Sequence, residues 1–67
     1  MRKNLYMLRH AHGLTQEEMA KRLDISRTAY RNIESGKSKG SIEFWLAVLR
    51  EFPEVNISEI TKIEGSA

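Results

Sequence analysis

Four polar side chains between residues 27 and 32 have a spacing that would place them on one face of a helix. Arg27 and Thr28 stand four positions before Arg31 and Asn32, and residues four apart on a helix are neighbours. Arginine can donate two hydrogen bonds to guanine, asparagine pairs with adenine, and a threonine methyl fits thymine. With Ser35 one turn further, the set could read base edges, although a helix that merely faces water also carries polar residues.

The charges of the chain are unevenly distributed. Its 67 residues carry a net charge of +2, but residues 1–39 hold nine basic and four acidic side chains, and residues 40–67 hold two basic and five acidic ones. This polarity suits a domain that presents its N-terminal part to a polyanion. A chance distribution is the alternative for so short a chain.

Other kinds of chemistry find little support in the sequence. The chain has no cysteine, which removes disulfides and the usual zinc ligands. His10 and His12 are two residues apart, so their rings would diverge on a helix. Serine, histidine and aspartate are scattered without a Gly-rich loop or paired carboxylates. We therefore expect no enzyme activity, no metal or other cofactor and no small-molecule ligand.

The length and hydropathy of the chain indicate one cytoplasmic domain. A chain of 67 residues has too little apolar surface for two cores. No apolar run approaches the roughly 20 residues that span a bilayer, and the first four residues are not followed by a signal-peptide segment. We expect no membrane association.

Helix starts are marked by capping patterns. Thr15 followed by Glu18 predicts a capping box, in which each side chain bonds the other residue's amide. Asn56 followed by Glu59 predicts the same arrangement, and Ser26 predicts a simple cap.

Glycine and proline mark the helix ends. Gly13 and Gly36 can adopt the left-handed conformation that ends a helix, and Pro53 disfavours helical angles at Phe52. No segment alternates with period two, so the sequence predicts an all-α fold. The predicted helices span residues 3–12, 16–23, 27–35, 42–51 and 57–63.

Apolar periodicity predicts a single core. The fourth helix also carries a second apolar stripe, Phe44, Val48 and Phe52, so it is either the central helix or partly covered by a second subunit. The predicted core consists of Leu5, Leu8, Met19, Ala20, Leu23, Tyr30, Ile33, Ile42, Trp45, Leu46, Leu49, Ile57 and Ile60, with Met1 and Ile63 at its margin.

The second and third predicted helices are joined by residues 24–26 alone, so they must cross steeply, and Ala20 is small enough to permit it. The motifs LTQEEMA at 14–20, Ile25-Ser26 and IESGK at 33–37 resemble the helix-turn-helix of phage Cro and repressor proteins and their bacterial relatives, the xenobiotic response element family. The resemblance covers residues 5–63. It implies a compact five-helix, lambda-repressor-like DNA-binding domain over residues 1–64, followed by a flexible tail at 65–67.

The resemblance also implies roles for individual residues. An ion pair between Arg9 and Glu34 would tie the first helix to the motif. Base readout is implied for Arg27, Thr28, Arg31 and Asn32, and contact with DNA phosphates for Gln16, Ser26, Tyr30, Lys37, Ser38 and Lys39.

The chain departs from the family pattern at three places. Asp24 stands where glycine is frequent, and aspartate can adopt the left-handed conformation at some cost. Tyr30 stands at a usually aliphatic inward position, so its hydroxyl needs either a buried partner or a phosphate. Pro53 and Glu54 lengthen the loop before the last helix by about one residue.

The leading hypothesis is a homodimeric repressor that binds double-stranded DNA at a palindromic operator and occludes polymerase. Two other classes remain open. A protein-interaction module, such as an antitoxin or a regulatory partner, could use the same fold, and a purely structural helical bundle would have no affinity for DNA.

Overall fold

The structure, a computed structural model, describes residues 1–63. Its helices are α1 (Lys3–Ala11), α2 (Gln16–Arg22), α3 (Arg27–Ser35), α4 (Ile42–Glu51) and α5 (Ile57–Ile60). Over this range there is no strand, which confirms the all-α prediction. None of these helices is long and apolar enough to cross a membrane. The tail predicted at 65–67 lies outside the described residues.

Three helices begin directly after a capping residue, and two of these caps, Thr15 and Ser26, are the ones that the sequence predicted. The Thr15 hydroxyl accepts from the Glu18 amide at 3.1 Å, and the Glu18 carboxylate accepts from the Thr15 amide at 2.9 Å. This completes the predicted capping box of α2, and the Thr15 amide lowers the pKa of the Glu18 carboxyl. Ser26 caps α3 and Ser41 caps α4 in the same way: each side-chain oxygen accepts from the backbone amide three residues later.

The connections that orient α3 depend on two left-handed residues. Asp24, in the turn between α2 and α3, has φ 58°, and Gly36, directly after α3, has φ 92°. The Ile25 amide donates to the Ala20 carbonyl at 3.0 Å, so the turn folds directly back onto α2. Ala20 is 2% exposed, which agrees with its expected place at the helix crossing.

The core face predicted for α4 was wrong. Phe44, Ala47 and Val48 are buried, whereas Ile42 is 76% exposed and Leu46 is 57% exposed. Both stripes have helical spacing, so periodicity could not decide which one the rest of the molecule would cover. Here the Phe44 ring lies 6.3 Å from the Tyr30 ring, and this contact turns the Phe44 stripe inward.

The last helix also differs from its prediction. Asn56 caps α5 by accepting from the Ser58 amide at 3.0 Å, and its predicted box with Glu59 does not form. The Glu59 carbonyl instead accepts from the Asn4 side chain at 3.0 Å, which joins α5 to α1. Because α5 has a single turn, only Ile60 is buried, and Ile57 and Ile63 are exposed.

The remaining predicted core is largely as expected. The margin residue Met1 is 46% exposed, and Leu8 is partly buried against the core. The fully or nearly fully buried apolar residues are Leu5, Met19, Ala20, Leu23, Tyr30, Ile33, Phe44, Ala47, Val48, Phe52 and Ile60.

Candidate nucleic-acid interface

The face of α3 that points away from the core carries the four candidate base-reading residues. Arg27, Thr28 and Arg31 are exposed, and Asn32 is partly exposed. On the opposite side, Tyr30 and Ile33 are buried, as is Glu34. Because the buried side of α3 is packed against the core, the polar side chains on its other side have a fixed orientation.

The Glu34 carboxylate fixes the orientation of α3 relative to two other helices. Its Oε2 accepts from Arg9 Nε of α1 at 2.8 Å and from the Tyr30 hydroxyl at 2.6 Å. Its Oε1 accepts from Arg9 Nη2 at 3.2 Å and from Gln16 Nε2 of α2 at 3.1 Å. Arg9 also donates to the Leu14 carbonyl at 2.9 Å. One buried group thus joins α1, α2 and α3.

The same contacts set the protonation states in this network. Burial alone would raise the pKa of the Glu34 carboxyl, but hydrogen bonds from Arg9, Tyr30 and Gln16 outweigh it and lower that pKa. Burial and the bond to Glu34 raise the pKa of the Tyr30 hydroxyl. Its bond to Glu34 raises the pKa of the Arg9 guanidinium. At neutral pH the network is therefore a carboxylate that accepts from a guanidinium and a phenol.

Tyr30 does not belong to the phosphate-contacting set in which the sequence placed it. Its exposed fraction is 0%, and its hydroxyl donates to Glu34. The Tyr30 hydroxyl needed either a phosphate or a buried partner, and in the structure it has a buried partner. The reason is the adjacent carboxylate on the same helix, which a phenol can reach across one turn.

The edge where α2 begins lies beside the start of α3. Gln16 and Arg27 border one polar depression together with Arg9 and Thr15. One hydrogen of the Gln16 amide is used by Glu34, and the second remains available because an amide nitrogen carries two. The Ser26 oxygen accepts from the Ala29 amide at 3.1 Å, which leaves the hydroxyl hydrogen free to point outward.

The loop after α3 lies beside the other end of that face. Lys37 and Lys39 are exposed, and the Ser38 amide donates to the Asn32 carbonyl at 3.1 Å. Asn32, Ser38 and Lys39 line one depression between α3 and the start of α4. A candidate base-reading residue and candidate phosphate-contacting residues therefore share a continuous surface.

Two residues that contact this loop were missed or misassigned by sequence reasoning. Arg2 entered the sequence analysis only as one of the nine basic residues of the N-terminal part, yet it is 3% exposed and donates to the Ser38 carbonyl at 2.6 Å. Trp45, assigned to the core, is partly exposed and donates to the Lys39 carbonyl at 2.9 Å. No local pattern signals such partners, because they are main-chain carbonyls that lie far along the chain from Arg2.

Each of the two histidines has its own contact, and neither contact involves the α3 face. His10 packs against the Tyr6 ring at 4.2 Å between ring centroids, and His12 Nε2 lies 3.1 Å from Glu54 Oε2. Within residues 1–63, no three histidine, aspartate or glutamate side chains are grouped closely enough to hold a metal ion.

Comparison with known proteins gave one finding. A family model described as helix-turn-helix matches residues 5–60, from the third residue of α1 to the end of α5. No curated protein and no solved structure gives a significant match.

Proposed function

The chain belongs to this helix-turn-helix family of Cro- and repressor-type DNA-binding regulators, and on that premise we propose that it is a repressor that binds a palindromic operator as a homodimer. The observation that carries the proposal is the exposed polar face of α3. That face is held by the Glu34 network and bordered by the basic loop that follows it.

In the proposed complex, α3 lies in the major groove with its first residues toward the bases, as in phage repressors. Arg27 and Arg31 can each present a fork of donors to guanine, and Asn32 can pair with adenine. Thr28 can place its methyl group against thymine. Their exposure supports these roles, since no rearrangement of the core is needed to reach a base.

Five residues around α3 are proposed to bind the phosphates on either side of the groove. Gln16 lines the depression at the start of α3, and Ser38 and Lys39 line the one between α3 and α4. Ser26 and Lys37 are exposed next to the two ends of α3, and all five side chains have a donor available. Phosphate contacts fix the register of a protein on DNA and leave sequence to the base contacts. The five are Gln16, Ser26, Lys37, Ser38 and Lys39.

The homodimer is supported by an apolar surface that the molecule leaves uncovered. Ile42, Trp45, Leu46, Leu49 and Ile57 line a shallow apolar depression between α4 and α5, and Ile42 and Leu46 are more than half exposed. Grouped exposed apolar side chains commonly mark an interface. Two copies joined here would be related by a twofold axis, as palindromic DNA requires.

Repression would follow from occupancy, because a dimer bound across a promoter excludes polymerase from the same base pairs. Two copies also double the base readout, which one short helix could not make selective enough by itself.

Selection of binding sites from random duplex DNA tests the proposal. We expect recovered sites with inverted half-sites about 10 base pairs apart, centre to centre. Recovery of no enriched sequence, with no salt-sensitive shift of any duplex, would instead favour the protein-interaction module.

Asn32→Ala tests the base readout on the recovered site. We expect it to relax the preference at one position of each half-site at a cost of about 1–3 kcal/mol per contact. Affinity for mixed-sequence DNA should stay nearly constant. Glu51→Ala, at the exposed C-terminal end of α4, is the control and should leave the base preference unchanged. If Asn32→Ala leaves the preference intact, Asn32 does not read a base.

A further inference from the structure

The N-terminal segment of the chain lies across the C-terminal end of α3. The Arg2 amide donates to the Glu34 carbonyl at 2.7 Å, and the Arg2 side chain turns inward, so that the residue is 3% exposed. Burying a charged group is costly unless it is fully hydrogen bonded. The position of Arg2 therefore depends on the partners that its guanidinium finds.

Those partners are main-chain carbonyls from three parts of the fold. Nη1 donates to the carbonyls of Ile33, in the last turn of α3, and of Ser38. Nη2 donates to the Lys39 carbonyl at 3.5 Å, and Nε donates to the Thr61 carbonyl at 3.2 Å. A cation is favoured at the C-terminal end of a helix, where carbonyls are unpaired. Arg2 thus joins α3, the loop that follows it and the end of α5.

The indole of Trp45 contacts the same loop from α4. Its Nε1 donates to the Lys39 carbonyl, which Arg2 also bonds. The Trp45 ring itself lies 5.4 Å from the Arg2 guanidinium carbon, a distance that permits a cation–π interaction. Gly40 follows with φ 77°, and a Cβ there would lie 3.0 Å from Trp45 Nε1, so this packing is close.

These contacts determine which groups the loop presents outward. The carbonyls of Ser38 and Lys39 are directed at Arg2, while the side chains of Lys37 and Lys39 are exposed. Carbonyl oxygens carry partial negative charge and would repel a phosphate. Directing them toward a buried cation leaves the ammonium groups as the loop's outward charges.

We propose that Arg2 is a positioning residue for the DNA-backbone contact: by binding the carbonyls of Ser38 and Lys39, it holds Lys37 and Lys39 beside α3 for phosphates without touching DNA. The inference rests on the proposed DNA-binding function. The sequence by itself assigned Arg2 no role beyond its contribution to the basic charge of the N-terminal part.

The test measures affinity for a fluorescent mixed-sequence duplex of about 20 base pairs as a function of salt. Such binding is dominated by phosphates, and each neutralised phosphate contributes roughly 0.9 to the slope of log K against log salt. We expect the double variant Lys37→Ala/Lys39→Ala to lower the slope magnitude by about two units per bound chain and Arg2→Ala to lower it by about one or more per bound chain. Adding Arg2→Ala to the double variant should lower it no further.

Each variant is measured at a temperature where circular dichroism shows it folded. Amide hydrogen exchange of the free protein supplies a second readout that is independent of DNA. In Arg2→Ala we expect exchange of the Ser38 and Gly40 amides to accelerate about tenfold relative to core amides such as that of Val48, because the loop opens locally. The matched control is Arg50→Ala, which removes an exposed arginine from α4 and should change neither readout.

If Arg2→Ala does not fold, Arg2→Met decides the question, since it keeps a buried apolar stem of similar length and removes the guanidinium donors to the carbonyls of Ser38 and Lys39. A reduced slope in that variant supports the inference, and an unchanged slope overturns it. The inference is also overturned if folded Arg2→Ala keeps the wild-type slope, or if its loss adds fully to that of the double lysine variant. Failure of the wild-type chain to bind any duplex would instead contradict the proposed function itself.

Discussion

The buried Glu34 carboxylate links α1, α2 and α3. It accepts hydrogen bonds from three side chains, one on each of these helices. Glu34 is 5% exposed and Arg9 is 8% exposed, so water cannot replace either partner if the other is removed. Removing one member of a buried pair leaves an uncompensated charge, which costs more than the pair itself contributes. The orientation of the base-reading face should therefore be sensitive to this pair.

We predict that Glu34→Ala lowers the free energy of unfolding by about 3 kcal/mol, because Arg9 is then buried without its partner. Urea unfolding of Glu34→Ala, Arg9→Ala and the double variant measures this. The double variant should lose clearly less than the sum of the two single losses. Small, additive losses would mean that the pair contributes little.

The exposed pair of His12 and Glu54 is a natural control for this measurement. Their side chains are 38% and 58% exposed at a separation of 3.1 Å, and exposed pairs contribute little because water screens them. Glu54→Ala should leave the melting temperature almost unchanged, although the same number of carboxylates has been removed.

Acid should weaken the fold through Glu34. Its pKa is lowered in the folded protein, while an unfolded glutamate titrates near about 4.3. The unfolded state therefore takes up the proton first, so this stabilisation is present above about pH 4.3 and is lost as pH falls through the folded-state pKa. Urea unfolding between about pH 7 and 3 should show the difference between wild type and Glu34→Gln narrowing as pH falls. A constant difference would show that this carboxyl does not contribute to the acid sensitivity.

At the scale of elements, the turn between α2 and α3 sets the angle at which α3 leaves the domain. The sequence predicted that Asp24 would accept a left-handed conformation, and its φ of 58° confirms this. An L-residue with a Cβ pays roughly 1–2 kcal/mol there, and glycine does not. The turn is thus held at some cost by the packing of Leu23 and Ile25 on either side of it.

We predict that Asp24→Gly is more stable than Asp24→Ala by about 1 kcal/mol. Both variants remove the exposed carboxylate, so they control for its charge, and only the backbone preference differs. Thermal unfolding of the two compares them directly, and duplex affinity should be the same for both because the turn keeps its shape. Equal stability would mean that the left-handed turn carries no strain.

At the scale of the whole molecule, the surface divides into a basic side around α3 and an apolar depression between α4 and α5. The first is the proposed DNA-binding side, and the second is the proposed dimer interface. An exposed apolar group contributes little to the stability of the single chain, so substitutions there can separate assembly from folding.

We predict that Ile42→Glu makes the protein monomeric while the single chain stays folded, because this side chain is 76% exposed. Its melting temperature should no longer depend on protein concentration. Analytical ultracentrifugation, free and with a selected palindromic duplex, should give two wild-type chains per duplex. The variant should bind each half-site independently and more weakly.

Met7→Glu provides the control for this change in charge and polarity. Met7 is 53% exposed on α1, away from the α4 and α5 depression, so its variant should assemble like the wild type. If wild type occupies an isolated half-site tightly as one chain, the dimer proposal is wrong.

Local chemistry made much of the fold predictable from the sequence. The Thr15 capping box, the Ser26 cap and the positive φ at Asp24 and Gly36 each depend on residues within a few positions of one another. The outward face of α3 was likewise predictable, because helical spacing separates it from Tyr30 and Ile33. Because these features depend on neighbouring residues, they form in the same way whatever the rest of the fold contributes.

Only the tertiary structure decided between arrangements that the local sequence permits equally well. On α4, the Phe44 and Ile42 stripes are both apolar, and only the assembled core, in which the Phe44 ring lies beside the Tyr30 ring, determines which is buried. The Tyr30 hydroxyl could have reached a phosphate or a buried carboxylate, and packing brought it to Glu34. Arg2 carries no local signal at all, since its partners are main-chain carbonyls up to 59 residues away. Long-range contacts form only when the helices are assembled, and for that reason the sequence could identify the proposed base-reading face but not the residue proposed to hold the loop beside it.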